Sequence, residues 1–188
     1  MRMDPTSGAT AHDVVNKYTS KDLAEVIRRY GEERFARRIA AAIERARPID
    51  DTLTLAEVVK QAIPAATRRT GGHPAKRTFQ AIRIEVNKEL DALETVLPGA
   101  VKALRTGGRL AVLTYHSLED RMVKRFFVAG ARDCTCPPDF PICVCGARAS
   151  LRLVTRKPVT PGEAELARNS RASSARLRVA EKLGREAA

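Results

Sequence analysis

No stretch of this sequence approaches the ~18 consecutive apolar residues that a membrane-spanning helix needs. The opening Met1-Arg2-Met3-Asp4-Pro5 runs into polar sequence without the apolar block of a secretory signal. A membrane-spanning or exported protein is therefore not expected, and a soluble cytoplasmic one is. Internal repeats and long low-complexity tracts are also missing. That leaves one domain, or a domain with a subdomain, able to bury a real core in 188 residues. Cysteine is scarce and confined, because all four fall between Cys134 and Cys145. In a reducing compartment such a cluster points to metal or free thiols before disulfides. None of the eleven glycines sits in a strand, glycine-rich turn and helix followed by an acidic residue, the pattern of a Rossmann cofactor site.

What is abundant is positive charge. The chain has 34 Lys and Arg against 22 Asp and Glu, a net charge of +12. A polyanion such as nucleic acid is the first partner class for that excess. From Arg148 onward ten Lys or Arg face four Glu, half of the excess. Arginine dominates there, and its planar fork suits phosphate and base edges.

The first third reads as short helices. Thr10 with Asp13 caps a helix over Ala11 to Lys17, and Lys21 to Tyr30 forms the next, broken at Gly31. A third helix is expected over Glu32 to Ala46, with Phe35, Ile39, Ala42, Ile43 and Ala46 on one face and Arg34, Arg37 and Arg38 towards the other. Glu32 and Glu33 at its start and Arg45 and Arg47 at its end suit the helix dipole. Thr54 and Glu57 suggest a capping box for a helix ending near Pro64. The longest helix is expected from Ala75 to Leu97. Its Phe79, Ile82, Val86, Leu90, Leu93 and Leu97 form one apolar stripe, which is core packing. Lys76, Gln80, Arg83 and Asn87 share the opposite face and could line a groove for RNA.

After Gly107-Gly108, the run RLAVLTY (Arg109 to Tyr115) fits a buried parallel strand. His116-Ser117 follows, and Ser117 can cap a helix over Leu118 to Val128, with Asp120 at its third position. His116 and Ser117 then lie at the carboxyl end of a strand, the edge where open α/β sheets bind ligands. Leu151 to Lys157 and Ala175 to Lys182 alternate apolar and basic residues as half-exposed strands do, with a short helix starting at Thr160-Pro161-Gly162-Glu163 between them. The whole reads as the tail of an α/β domain preceded by a helical module.

These segments resemble a known family. HPAKRTFQAIRIEVNKEL (His73 to Leu90), GGRLAVLTYHSLEDRMVKRFF (Gly107 to Phe127) and RASSARLRVAEKL (Arg171 to Leu183) look like its signature stretches, and MRMDPTSGATAHDVVN and YGEERFARRIAAAI are similar to it too. The family is the bacterial small-subunit ribosomal RNA cytosine-N4 methyltransferase, which depends on S-adenosylmethionine. The resemblance implies an α/β fold, the C-terminal part of a class I Rossmann-like methyltransferase domain preceded by an inserted helical subdomain that helps hold RNA. Residues 1–10 would end an upstream catalytic segment, 11–72 would be the helical insertion, and 73–188 would be the C-terminal part of the methyltransferase domain. Family members carry the glycine-rich cofactor loop, an acidic ribose contact and the segment facing the target amine upstream of the stretch matching MRMD. The chain is therefore expected to lack the cofactor-binding half and to be inactive alone. Gly71-Gly72-His73 is similar to a triplet in that loop, but no strand precedes it, and it reads as a hinge.

The implied reaction moves a methyl group from a sulfonium to an exocyclic amine, whose lone pair is delocalised into the ring. Catalysis then rests on alignment and on acceptors for developing positive charge, with the base taken out of its stack. No cofactor-binding residue is named. His116 is the one local candidate in the pocket, with a structural cap as its other reading. The candidate RNA contacts are Lys76, Arg77, Gln80, Arg83, Asn87, Ser117 and Arg121. Alanine at Arg83 and Asn87 is expected to weaken RNA binding without unfolding, because their face opposes the apolar stripe.

Cys134, Cys136, Cys143 and Cys145 form C-x-C-x6-C-x-C with Pro137, Pro138 and Pro141 between the pairs. Four thiolates could close a tetrahedral structural zinc site, although common knuckles have two to four residues within each pair. The alternative is reduced cysteines in a surface loop. Small-subunit ribosomal RNA is the expected partner, with neither membrane nor DNA. Two readings from other classes compete: a non-catalytic RNA-binding remnant of such an enzyme, and a small zinc-containing nucleic-acid regulator resting only on charge and cysteines.

Overall fold

The computed structural model describes residues 1–4, 6, 8–68, 72–134, 136–137, 140 and 142–184. Of the expected hinge, Gly71 lies outside these residues, as do Pro138 and Pro141 of the cysteine segment. The chain divides into two units, Met1–Glu89 and Leu90–Ala188.

The first unit is helical: α1 (Ala11–Lys17), α2 (Ser20–Gly31), α3 (Ala36–Arg45), α4 (Thr52–Ala62), α5 (Ala65–Arg68) and α6 (Lys76–Asn87). Short helices depend on their caps and on packing more than on propensity. Thr10 and Asp13 form a reciprocal capping box on α1, as expected. The α4 cap differs from expectation. Asp51 accepts from the Leu53 and Thr54 amides, so Thr54 is inside the helix rather than before it. A charged acceptor three residues upstream offers orphan amides more than the Thr54 hydroxyl can.

The third helix begins later than expected. Glu32 takes a left-handed conformation (φ 50°), and the buried Glu33 carboxylate accepts from the Phe35 amide, so residues 32–35 are a turn. Arg47 does not simply close α3. Its guanidinium donates to the carbonyls of Val15 (2.8 Å) and Tyr18 (2.6 Å), satisfying the end of α1. The core joins Val14, Leu23, Ile27, Ile39, Ile43, Val59 and Ile82, all fully buried. At burial near 25 cal/mol per Å2, side chains of this size contribute roughly 1.5–3 kcal/mol each before the entropy of ordering is subtracted.

The expected single helix from Ala75 to Leu97 is two helices. The first, α6, ends at Asn87, Lys88 is left-handed (φ 51°), and α7 (Glu89–Ala103) starts afresh. The apolar stripe is divided accordingly. Phe79, Ile82 and Val86 pack in the first core, and Leu93 and Leu97 in the second. Side chains explain the break: the Asn87 amide donates to the Arg83 carbonyl, and the Glu89 carboxylate turns back to Arg83.

The second unit is mixed α/β: α7, β1 (Arg109–Thr114), α8 (Ser117–Gly130), β2 (Leu151–Leu153), α9 (Glu163–Arg168), a 3-10 turn (Ser170–Ser174) and β3 (Arg176–Lys182). Gly107 makes the turn into β1 with φ +77°, a conformation that favours glycine. The sheet order is β1-β3-β2, and both pairings are antiparallel. The expected parallel, doubly covered β1 is thus corrected. Its burial alternates, with Leu110, Val112 and Thr114 inward and Arg109, Ala111 and Leu113 exposed, because among the described residues one face of the strand is covered, Leu110 and Val112 packing with Val123 and Phe127 of α8. The strand expected over Leu151 to Lys157 is shorter, ending at Leu153. Leu97, Val123, Phe127, Leu151 and Ala180 form the core of this unit.

Gly31 sits where a Cβ would lie 2.7 Å from the Arg77 carbonyl oxygen. Contact with backbone cannot be relieved by a rotamer change. Gly31→Ala is expected to lower the urea midpoint by an amount equivalent to about 1–3 kcal/mol.

Candidate functional site

The carboxyl end of β1 is the centre of the candidate site. Thr114 is buried, and its hydroxyl donates to the Arg176 carbonyl at 3.2 Å. The chain then turns through Tyr115 into α8. The cap of α8 is His116, not Ser117: the His116 ring Nδ1 accepts from the Glu119 amide at 3.3 Å. The Glu119 carboxylate returns to the Tyr115 and His116 amides at 2.8 and 3.1 Å. This is a capping box with histidine in the place of serine or threonine. Accepting at Nδ1 places the ring proton of the neutral form on Nε2, which lies 3.4 Å from Glu119 Oε1. His116 therefore has the capping role that the sequence left as one of two readings.

Asp120, on the first turn of α8, is the most strongly held charge here. Arg178 of β3 donates to it through Nε (2.6 Å) and Nη2 (3.0 Å), and Arg176 through Nη1 (3.2 Å). Asp120 and Arg178 are both buried. The Arg178 hydrogen bonds hold the Asp120 carboxyl below the ordinary carboxylate range, against the opposing push of burial, with Arg176 adding to the effect. Sequence reading missed this group. It read Ala175 to Lys182 as a half-exposed strand of alternating apolar and basic residues, but Arg176, Arg178 and Ala180 alternate onto the side facing α8. Their two-residue spacing was the available signal. On the other side of the strand, Glu181 lies between Arg152 (2.7 Å) and Arg109 (3.2 Å), joining all three strands. Its carboxyl is lowered by Arg152 first and Arg109 next.

A cleft of about 410 Å3 opens beside the same strand end, lined by Leu113, Tyr115, Val159, Asn169, Arg171 and Leu177 among others. Tyr115 is more than half exposed there. Ser117 and Arg121 are exposed on α8, and Arg121 borders a second hollow with Leu118, Met122 and Phe126.

On α6, the residues read as RNA contacts are mostly engaged within their own unit. Arg77 donates to the Glu32 carbonyl (3.4 Å) and Gln80 to the Tyr30 carbonyl (3.1 Å). Arg83 makes a two-pronged pair with Glu89 at 2.8 and 3.0 Å. Asn87 accepts from the Met3 amide (2.7 Å) and donates to the Met1 carbonyl (2.9 Å), fastening the N-terminal segment. Lys76 is exposed. A wider hollow between α2 and α3 is lined by Lys21, Arg28, Arg34, Arg37 and Arg38 with Asp22, Glu25 and Glu33.

The four cysteines come together. Their Sγ atoms all lie within 4.8 Å of one another. Around Cys134 the Cys136 amide favours the thiolate, but the Cys143, Cys136 and Cys145 sulfurs oppose it and push the thiol up to about 12.

Residues 1–183 match the model of a methylase family. It is the MraW methylase family, and the chain belongs to it. A protein named ribosomal RNA small subunit methyltransferase H from Paenibacillus sp. (strain JDR-2) is 57% identical over 186 residues, 97% of this chain and 59% of the relative. Proteins of the same name from Symbiobacterium thermophilum (58% identical, 97% and 58% covered) and Heliobacterium modesticaldum (53%, 97% and 59%) agree. The chain thus spans about three fifths of the length of these curated relatives.

The described residues do not fit an S-adenosylmethionine cradle. The one strand that turns directly into a helix does so through Tyr115-His116 without glycine, and the glycines with positive φ (Gly8, Gly72, Gly107 and Gly146) lie elsewhere. No helix among the described residues is long and apolar enough to cross a membrane.

Asp120→Asn leaves Arg178 buried without its countercharge, and a loss of about 3 kcal/mol is expected in urea unfolding at neutral pH. The contribution of the pair is fully present above ~3.9, the ordinary carboxylate value, and fades as pH falls from there through the lower folded value. Unfolding curves taken across that range should show the acid-sensitive component in the native protein and not in the variant.

Proposed function

We propose that the whole protein transfers a methyl group from S-adenosylmethionine to the exocyclic amine of a cytidine in small-subunit ribosomal RNA. In this reading the chain supplies the RNA-holding helical insertion (residues 11–72) and the C-terminal part of a class I Rossmann-like methyltransferase domain (73–188). The observation that carries it is the 57% identity, across 97% of the chain, to a relative named for small-subunit ribosomal RNA methylation. The net charge of +12 is what a polyanionic substrate calls for. A cytoplasmic location accords with a ribosomal RNA substrate.

The residues of this chain position and hold. The RNA contacts are Lys76, Arg77, Gln80, Arg83, Asn87, Ser117 and Arg121, with the arginines around the α2–α3 hollow adding phosphate attraction. Tyr115 presents an exposed aromatic ring at the strand end beside a cleft of mixed polar and apolar lining, suited to stacking on an unpaired base. His116 and Asp120 set the direction of α8, and with it the placement of Ser117 and Arg121. Arg83 and Asn87 have a second task, since they fasten Glu89 and the Met1–Met3 segment. Alanine at these two is therefore expected to cost some stability as well as RNA affinity, a revision of the effect expected from the helix face alone.

One observation favours a second reading for the isolated chain, a non-catalytic RNA-binding remnant: its described residues offer no glycine turn between strand and helix for a cofactor. Calorimetric titration with S-adenosylmethionine tests this second reading. No heat of binding is expected from this chain, and a clear one would place a cofactor site within these residues and end the remnant reading. RNA binding is checked by fluorescence anisotropy on a small-subunit ribosomal RNA fragment across a salt series. Lys76→Ala and Arg121→Ala should each weaken binding and reduce the salt slope by about one unit if each neutralises a phosphate. Unchanged affinity and slope would remove those residues from the interface.

A further inference from the structure

We propose that Cys134, Cys136, Cys143 and Cys145 bind one zinc ion as a closed, structural tetrathiolate site. The spacing of the sulfurs is the first ground. Sγ of Cys134 lies 3.4 Å from that of Cys143, Cys143 lies 3.6 Å from Cys145, and Cys145 lies 3.8 Å from Cys134. A disulfide would bring one pair to about 2.05 Å and leave the other two sulfurs out of the geometry. A tetrahedron of sulfurs bonded to zinc at about 2.3 Å has edges of about 3.8 Å. The cluster already has close to that size. In addition, the Cys136 amide donates to Cys134 Sγ at 3.4 Å, a hydrogen bond of the kind that stabilises a metal-bound thiolate.

The loop that carries the cysteines supplies a second, independent ground. Its base is closed by backbone: the Ser150 amide donates to the Gly130 carbonyl at 2.8 Å, and the Ala149 amide to the Asp133 carboxylate at 3.0 Å. Among its described residues the tip buries no apolar core, because Phe140, Ile142 and Val144 are 52%, 72% and 73% exposed. Hydrophobic packing therefore does not account for four side chains converging on one point, whereas metal ligation does. As the zinc dication enters, four S–H bonds break, four Zn–S bonds form and four protons pass to solvent. No electron is transferred, and the site carries a net charge of −2 with Arg132 and Arg148 flanking it in the chain. Four protein ligands leave no position for water, so the ion staples the loop between α8 and β2 instead of acting on a substrate. This inference stands apart from the methyl-transfer reading.

The test is metal analysis of this chain purified under reducing conditions without added metal, followed by cobalt(II) replacement. One zinc per chain is expected, together with the visible bands of tetrahedral cobalt thiolate on replacement and their loss when zinc is returned. The four thiols should resist a thiol reagent until a chelator is added. Cys143→Ser should lose the bands and the stoichiometry while the far-ultraviolet circular dichroism is kept. Should that variant fail to fold, the cobalt titration of the native chain decides alone. Four reduced, freely reactive thiols with neither zinc nor cobalt bound would overturn the site, and iron in place of zinc would overturn the choice of ion.

Discussion

The α/β unit depends on one buried ion pair, the Asp120 carboxylate against the Arg178 guanidinium, with Arg176 beside it. A charge removed from water is costly unless geometry and further hydrogen bonds repay the desolvation. Here both Asp120 oxygens are engaged, and Arg178 approaches with two nitrogens. The pair joins the first turn of α8 to β3, and β3 is the central strand to which β1 and β2 are both bonded. Helix direction, sheet and the turn at His116 are thus referred to the same point.

From that point the strand end gains its character. The His116–Glu119 capping box engages the histidine Nδ1 and both amides of the turn, so this corner is built for position. What it presents outward is Tyr115, Ser117 and Arg121, one aromatic, one hydroxyl and one guanidinium. These are the side chains of recognition by stacking and phosphate contact. A division of labour follows: buried charges orient α8, and the exposed groups are those that the proposed function assigns to nucleic-acid contact.

The helical unit follows a similar economy. Polar side chains of α6 that could face RNA also hold the N-terminal segment, the α2 carbonyls and the Glu89 carboxylate. A polar helix face in a basic protein is therefore not automatically a free binding face. Hydrogen bonds within the chain compete with those to a partner, and the winner depends on which carbonyls and carboxylates are near.

The sequence by itself determined the helical first half, the α1 capping box, the strand and helix around His116, the final strand and the family. Each of these rests on local signals: caps, a period of three to four, a glycine turn and long matching stretches. It did not determine that the helix through Lys88 breaks, that His116 rather than Ser117 caps α8, or that β1 pairs antiparallel with β3. Nor did it reveal that Arg178 is buried. The burial of Arg178 and the pairing of β1 turn on partners 58 to 72 residues away in sequence. The break at Lys88 and the His116 cap rest instead on side chains three to six residues apart, whose competition a periodic pattern does not report. A periodic pattern reports which face of an element is apolar, but only the folded chain brings a distant carboxylate to a guanidinium and so decides whether a charge is solvated or buried.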